Sequence, residues 1–330
     1  MGYEYGRNEE WKSFSNCVSA DSEESRKTFL HDGRRVVVKP ENHWADLRIA
    51  RLLYDVRSPY LPRCFGRTSS ERRDVDGRGD GQIATSTVDE RSAARFDEER
   101  KRLPFVECCP APATPSIVFE WINGRTMREM SASELSSPIL ERWFDDVLNG
   151  LSWLSQCAGK PTAHLDISPD NIVIADSGDA SLIDFSGARV LDGRSCVPET
   201  SRIYKEGYAA PEIFLGDLRA ESDLYALAMS ILSVYRNEPA ATLNRSSIRG
   251  ALRKLDPSFS ERLRDCLSED PAARRVAWRH CSIKPITADK QQALEPRHFE
   301  QVSVEEDDHC PYSFATCPFL EVAYILCGGD

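Results

Sequence analysis

Residues 163–184 constrain the chain most. The stretch reads Ala163-His-Leu-Asp-Ile-Ser-Pro-Asp-Asn-Ile-Val-Ile, and Leu182-Ile-Asp-Phe follows a Ser-Gly-Asp turn at 177–179. Ile172-Val173-Ile174 and Ser181-Leu182-Ile183 are short apolar runs that predict two strands around that turn. Asp166 and Asn171 lie ahead of the first strand, and Asp184 ends the second. Hard oxygen donors from separate strand ends suit Mg²⁺ held on phosphates. A further carboxylate beside them can accept a hydroxyl proton. Phosphoryl transfer asks for little more than this positioning and a cation on the phosphates. Lys39, at the end of the Val36-Val37-Val38 run, has the place for that cation.

The rest of the chain divides around this centre. Asp32-Gly33, between residues 26–30 and 34–39, predicts a tight hairpin, and the β-branched run at 36–38 predicts a buried strand. A helix is expected from Trp44 to Tyr54, with Asp46, Ile49, Ala50 and Leu53 on one face. A short strand follows at 63–66. Residues 67–115 are charged and rich in Ser, Gly and Asp, which reads as a mobile insertion with one short helix near 92–102. Ile117-Val118-Phe119 resumes a buried strand. Leu140, Phe144, Val147, Leu151 and Leu154 share one face of an expected helix at 138–155. The stretch 223–235 is apolar on all sides, as expected of a buried helix. Strands and one helix followed by helices predict an α+β protein of two lobes.

Composition narrows the functional classes. The 330 residues carry 42 Lys plus Arg against 53 Asp plus Glu, a formal net charge of -11. An acidic chain is a poor polyanion binder, so nucleic acid is not an expected partner. No apolar run has the length of a membrane helix. No signal-peptide pattern opens the chain, and a cytoplasmic location is expected. The 11 cysteines then read as free thiols. His280, Cys281, His309, Cys310, Cys317 and Cys327 lack the close ligand pairs of a zinc site.

His164-Leu-Asp-Ile-Ser-Pro-Asp-Asn171 resembles the protein-kinase catalytic loop. Leu182-Ile-Asp-Phe-Ser186 resembles the D-F-G element, Val36 to Lys39 the V-A-I-K strand, and Ala210-Pro-Glu212 the A-P-E element. Phe119-Glu-Trp-Ile122 is similar to the adenine-receiving hinge. Ser222-Asp-Leu-Tyr-Ala-Leu resembles the central buried helix, and Asp270-Pro-Ala-Ala-Arg274 the segment whose Arg pairs with the A-P-E Glu. The wording is similar to that of bacterial Ser/Thr kinases. The resemblance implies a two-lobed kinase-like fold over 1–285, with a small sheet-rich lobe at about 11–122, a larger helical lobe at about 123–285, and a tail at 286–330. It implies ATP and Mg²⁺ as cofactors and a protein as substrate or partner. Asp166 would orient the hydroxyl and Asn171 and Asp184 would ligate Mg²⁺. Lys39 would contact the α and β phosphates. The Glu120 carbonyl and Ile122 amide would bond adenine, with Phe119 as gatekeeper, Val173 as floor, Val37 narrowing the pocket and Asp223 holding the catalytic-loop backbone.

The sequence also departs from that pattern. Cys17 to Ser25 stands where a glycine-rich loop belongs, and its acidic residues would repel phosphate. Ser186 replaces the D-F-G glycine. Leu165 and Ser168 replace the Arg and Lys of the catalytic loop, so the charge that meets the γ-phosphate is missing. No helix Glu faces Lys39; Asp46 is the expected partner and Glu41 the alternative. With Leu165 unable to hold a phosphate, phosphorylation at Ser195, Thr200, Ser201 or Tyr204 is not expected to be needed. These losses keep open a pseudokinase that serves as a nucleotide- or protein-binding module. A small-molecule phosphotransferase is disfavoured by Ala210-Pro-Glu212 and Arg274.

Overall fold

The computed structural model describes residues 29–30, 33–55, 58–68, 98–109, 112–192 and 205–279. The segment in place of a glycine-rich loop, the four expected phosphate acceptors, the tail and the His/Cys residues from 280 onward lie outside these residues.

Strand β1 (Phe29–Leu30) leads into a reversal, where the Leu30 amide donates to the Arg34 carbonyl at 2.9 Å. Gly33 has φ +82°, the left-handed conformation that a tight turn requires and a side chain disfavours. Strand β2 (Val36–Pro40) follows, then helix α1 (Leu47–Asp55) and strand β3 (Cys64–Arg67). Strand β4 (Cys108–Cys109) pairs with β1, and β5 (Ser116–Glu120) lies between β2 and β3 in an antiparallel sheet. Val36 to Pro40 pair in register with Glu120 back to Ser116.

Side chains alternate across this sheet, as strand geometry dictates. Ile117, Phe119 and Cys64 join α1 in the main core, while Val36 and Val118 pack with Cys108, Leu30 and Val106 on the other face. Both faces are covered, which explains the uninterrupted Val36-Val37-Val38 run, although Val37 and Val38 stay half-buried. The second half of the expected mobile insertion supplies part of that cover. Residues 98–102 are helical, Leu103 is buried, and the Val106 amide donates to the Arg67 carbonyl at 2.9 Å. The polar composition concealed this, because a few apolar residues suffice to dock a mainly charged segment.

Helix α1 starts three residues later than expected. Asp46 stays outside it, and its carbonyl and carboxylate accept the amides of Ile49 and Arg48 at 3.1 Å each. An acidic residue that satisfies the first free amides of a helix ends the preceding loop rather than continuing the helix.

Strand β6 (Gly124–Thr126) precedes helix α2 (Ser137–Ala158), which buries Leu140, Phe144, Val147, Leu151 and Leu154 on one face and ends at Gly159. Strands β7 (Thr162–Ala163), β8 (Ile172–Ala175), β9 (Ala180–Leu182) and β10 (Arg189–Val190) follow. The order β6-β8-β9 makes a second small sheet, and β7 pairs with β10. Helices α3 (Glu221–Arg236), α4 (Arg245–Leu252), α5 (Pro257–Cys266) and α6 (Pro271–Arg279) complete the described chain. Helix α3 buries side chains on nearly all sides, as its composition predicts. Antiparallel sheets come first in the chain and helices dominate its second half, in keeping with an α+β class.

Candidate active site

The site is built around the loop between β7 and β8. Its backbone is fixed from below by α3. Asp223, fully buried, accepts the amides of His164 at 2.6 Å and Leu165 at 2.9 Å. Burial pushes the Asp223 carboxyl up to about 7, against the pull of those two donors. Leu165 has φ +65°, a left-handed conformation that costs a branched side chain free energy and that the paired acceptor holds in place. His164 is also fully buried. Its Nδ1 accepts the Asp166 amide at 3.3 Å, so Nε2 carries the proton and donates to the Ile183 carbonyl at 2.9 Å. Burial lowers its pKa and keeps the ring neutral. Phe185 meets that ring edge to face at 4.7 Å.

These contacts aim the polar residues at one place. The Asn171 side-chain amide donates to the Asp166 carbonyl at 2.8 Å and to its Oδ2 at 2.9 Å. Both amide protons are thereby used, and Oδ1 is the atom left to bind a cation. The Asn171 carbonyl accepts the Ile183 amide at 2.9 Å, tying it to the segment that carries Asp184. Asp184 itself has φ +60°. Its Oδ2 lies 3.3 Å from Lys39 Nζ, and its Oδ1 accepts the Ser186 hydroxyl at 2.8 Å. Burial raises the Asp184 carboxyl, but Lys39 and Ser186 outweigh it and leave the group below its ordinary pKa. The Asp166 carboxyl moves the other way: burial raises it despite Lys205 and His164 nearby.

Lys39, Asp166, Asn171 and Asp184 thus come together from β2 and the two ends of the β8–β9 hairpin. The pairing expected between Lys39 and Asp46 does not form. Asp46 is held by the Arg48 guanidinium at 2.8 Å and by the Val190 amide at 3.0 Å, because its place ahead of α1 turns it toward β10. Glu41 is engaged too, with Arg100 at 2.7 Å. Phe119 and Val37 face each other in the β2–β5 register, and Phe119 stacks on Trp44 at 5.3 Å. Glu120 ends β5, Ile122 follows it, and Val173 sits buried on β8 opposite Thr126 and Ser181.

Three features escaped the sequence. Ser186 sits without positive φ in a short turn at 185–187, so that position does not need glycine. Ser222 donates to Glu212 at 2.6 Å, beside a fully buried Arg274 that grips the same carboxylate at 2.5 and 3.0 Å. Lys205 Nζ donates to Ser168 Oγ at 2.8 Å and lies 3.6 Å from Asp166 Oδ1, where the sequence left a positive charge unaccounted for. The only visible signal was that Lys205 is the one lysine between Lys160 and Lys254.

The Asn171–Asp166 pair, the Lys39–Asp184 contact and the buried Arg274–Glu212 clamp lie together in one fold. A family model described as the protein kinase domain matches residues 90–282, more than half of the chain, and the chain belongs to that family. It is similar to human cyclin-dependent kinase-like 2, 26% identical over 138 residues that cover 41% of this chain and 27% of that protein. Wall-associated receptor kinase-like 10 of Arabidopsis thaliana is 23% identical over 270 residues, 73% of this chain and 35% of the relative. Serine/threonine-protein kinase PknB of Mycobacterium tuberculosis is 29% identical over 137 residues, 40% of this chain and 22% of the relative. The chain spans about a fifth to a third of these relatives' length. Among the described residues, no helix is long and apolar enough to cross a membrane.

Proposed function

We propose that the chain is a two-lobed, ATP- and Mg²⁺-dependent kinase that phosphorylates Ser or Thr hydroxyls of a protein. The observation that carries this reading is the linked set Lys39–Asp184 and Asn171–Asp166. The donor set fits the cofactors: an amide oxygen and a carboxylate are hard ligands for Mg²⁺, and a lysine beside them suits phosphate. Bound Mg²⁺ and ATP supply the transferable γ-phosphoryl group and a cation to draw off its charge. Asn171 and Asp184 hold the cation, and Lys39 turns from Asp184 toward the α and β phosphates. Asp166 orients the acceptor hydroxyl and takes its proton, a task that its raised pKa favours. Glu120 and Ile122 bond adenine through their backbones, between Val37 and Val173 and in front of Phe119.

A second reading, a nucleotide-binding pseudokinase, draws on the same pair. Lys39 rests on Asp184, while Asp46, just ahead of α1, is taken up by Arg48. Metal dependence tests the site. ATP at about 100 times its dissociation constant stabilises a binding protein by about 2.7 kcal/mol. A thermal shift of several degrees with Mg²⁺ is expected, falling to near zero with EDTA or in Asp184→Asn. A shift indifferent to Mg²⁺ favours the pseudokinase.

A further inference from the structure

We propose that Lys205 is a catalytic cation that meets the γ-phosphoryl group, doing from a distant segment what the catalytic loop does not do at Ser168. The proposal rests on the kinase reading above.

From Pro161 to Ala188 the chain contains five aspartates and neither Lys nor Arg. A phosphoryl group delivered beside Asp166 and Asp184 would meet carboxylates on both sides, with Lys39 as the cation from β2. Lys205 corrects this balance. Its ammonium stands 2.8 Å from Ser168 Oγ and 3.6 Å from Asp166 Oδ1. An ammonium has three donors; one is given to Ser168, and Asp166 lies at ion-pair distance. Lys205 and Asp166 line one cleft with Leu165, Ile167, Tyr208 and Ala226.

The lysine is also held in place. The amides of Tyr208 and Ala209 donate to its carbonyl at 3.1 and 3.3 Å. Gly207, at φ +84°, packs so closely that a Cβ there would lie 2.2 Å from the Ala241 amide nitrogen. The Tyr208 hydroxyl accepts from Arg128 at 2.9 Å and meets Ser233 Oγ at 3.2 Å. The segment is therefore anchored on α3 and on residues 240–241. Ser168 is fully buried and has no charge of its own, so its hydroxyl serves to orient the ammonium.

In the transfer, the bond from the acceptor oxygen to the γ-phosphorus forms as the bond from that phosphorus to the β–γ bridging oxygen breaks. ADP leaves with the electron pair, and the acceptor proton passes to Asp166. Negative charge on the moving group's outer oxygens is what Lys205 offsets.

The test compares wild type with Lys205→Thr, Lys205→Gln and the exchange variant Ser168→Lys/Lys205→Thr in the full chain. One readout is the initial rate of labelled phosphate transfer from ATP to casein with Mg²⁺. The other is the equilibrium affinity for ATP and for ADP, measured by displacing a fluorescent nucleotide. Loss of the cation should lower the rate about 100-fold and erase the preference for ATP over ADP. The exchange variant should recover the rate to within about tenfold of wild type. Lys205→Gln keeps a donor for Ser168 without the charge and reads the same quantities if Lys205→Thr does not fold. A rate within about threefold of wild type overturns the proposal. So does a loss that the exchange leaves in place together with an unchanged ATP preference. A wild type that prefers ATP but transfers nothing overturns the kinase reading alone. The Lys205 contact then stands if Lys205→Gln abolishes the preference and falls if the preference persists. A wild type that binds neither nucleotide overturns both.

Discussion

Asp166→Asn should lower phosphoryl transfer by about 10² to 10⁴-fold, the usual contribution of a positioned acid–base group. The substitution keeps shape and removes charge. Asp166 Oδ2 accepts from Asn171, and Oδ1 faces Lys205 at 3.6 Å. An amide at 166 must present its NH₂ to one of these donors, so it also misaligns the oxygen that receives the hydroxyl proton. The fold should survive, because Asp223 and not Asp166 holds the loop backbone. Asp170→Asn is the internal control. Asp170 lies on the same loop but is exposed and bonded to Arg128, so its rate should stay within about threefold of wild type. Incorporation of labelled phosphate with thermal melting of all three proteins checks this. Equal rates for wild type and Asp166→Asn would remove Asp166 from the chemistry.

Arg274→Met should cost about 3–5 kcal/mol of stability, the range for breaking a buried ion pair from one side. Arg274 is fully buried and grips both Glu212 oxygens, with its Nε on the Ser268 carbonyl at 2.8 Å. Methionine fills much of the volume but leaves a carboxylate in the core. Burial alone would raise the Glu212 carboxyl, and Arg274 and Ser222 reverse this and hold it below its ordinary value. A depressed carboxylate contributes stability above its unfolded pKa, about 4.3, and loses it as pH falls through the lower folded value. Without Arg274 burial is opposed mainly by the Ser222 hydroxyl, and where burial outweighs it the sign inverts, so the variant gains as pH falls. The gap between variant and wild type should be widest near neutrality and narrow toward pH 4, as read by urea unfolding. A gap that is small or constant with pH would mean that the pair carries little of the stability.

What could be read from the sequence follows the range of each interaction. Asp166, Asn171 and Asp184 were legible because short strands and one turn bring them together within a stretch of 19 residues. The apolar periodicities of α2 and α3 also announced themselves locally. The partner of Lys39 was not legible, because Arg48 and the Val190 amide compete for Asp46 once α1 begins at Leu47. Lys205 meets Ser168 across 37 residues of chain, and nothing in either local sequence records the contact. The cover provided by 98–109 was hidden because charge dominates its composition while Leu103 does the packing.

The His164 ring gives the site a clock. Its Nε2 proton points at the Ile183 carbonyl inside a side chain with no solvent exposure, and its tautomer is fixed from the other side by the Asp166 amide. That proton exchanges with water when the loop between β7 and β8 parts from the segment that carries Asp184, so its exchange rate reports on such openings. In ¹⁵N-labelled protein it is a single resonance at the seam between the two halves of the site. Ligands that close the seam slow it, and substitutions that loosen the seam quicken it, whether or not a phosphate is ever transferred.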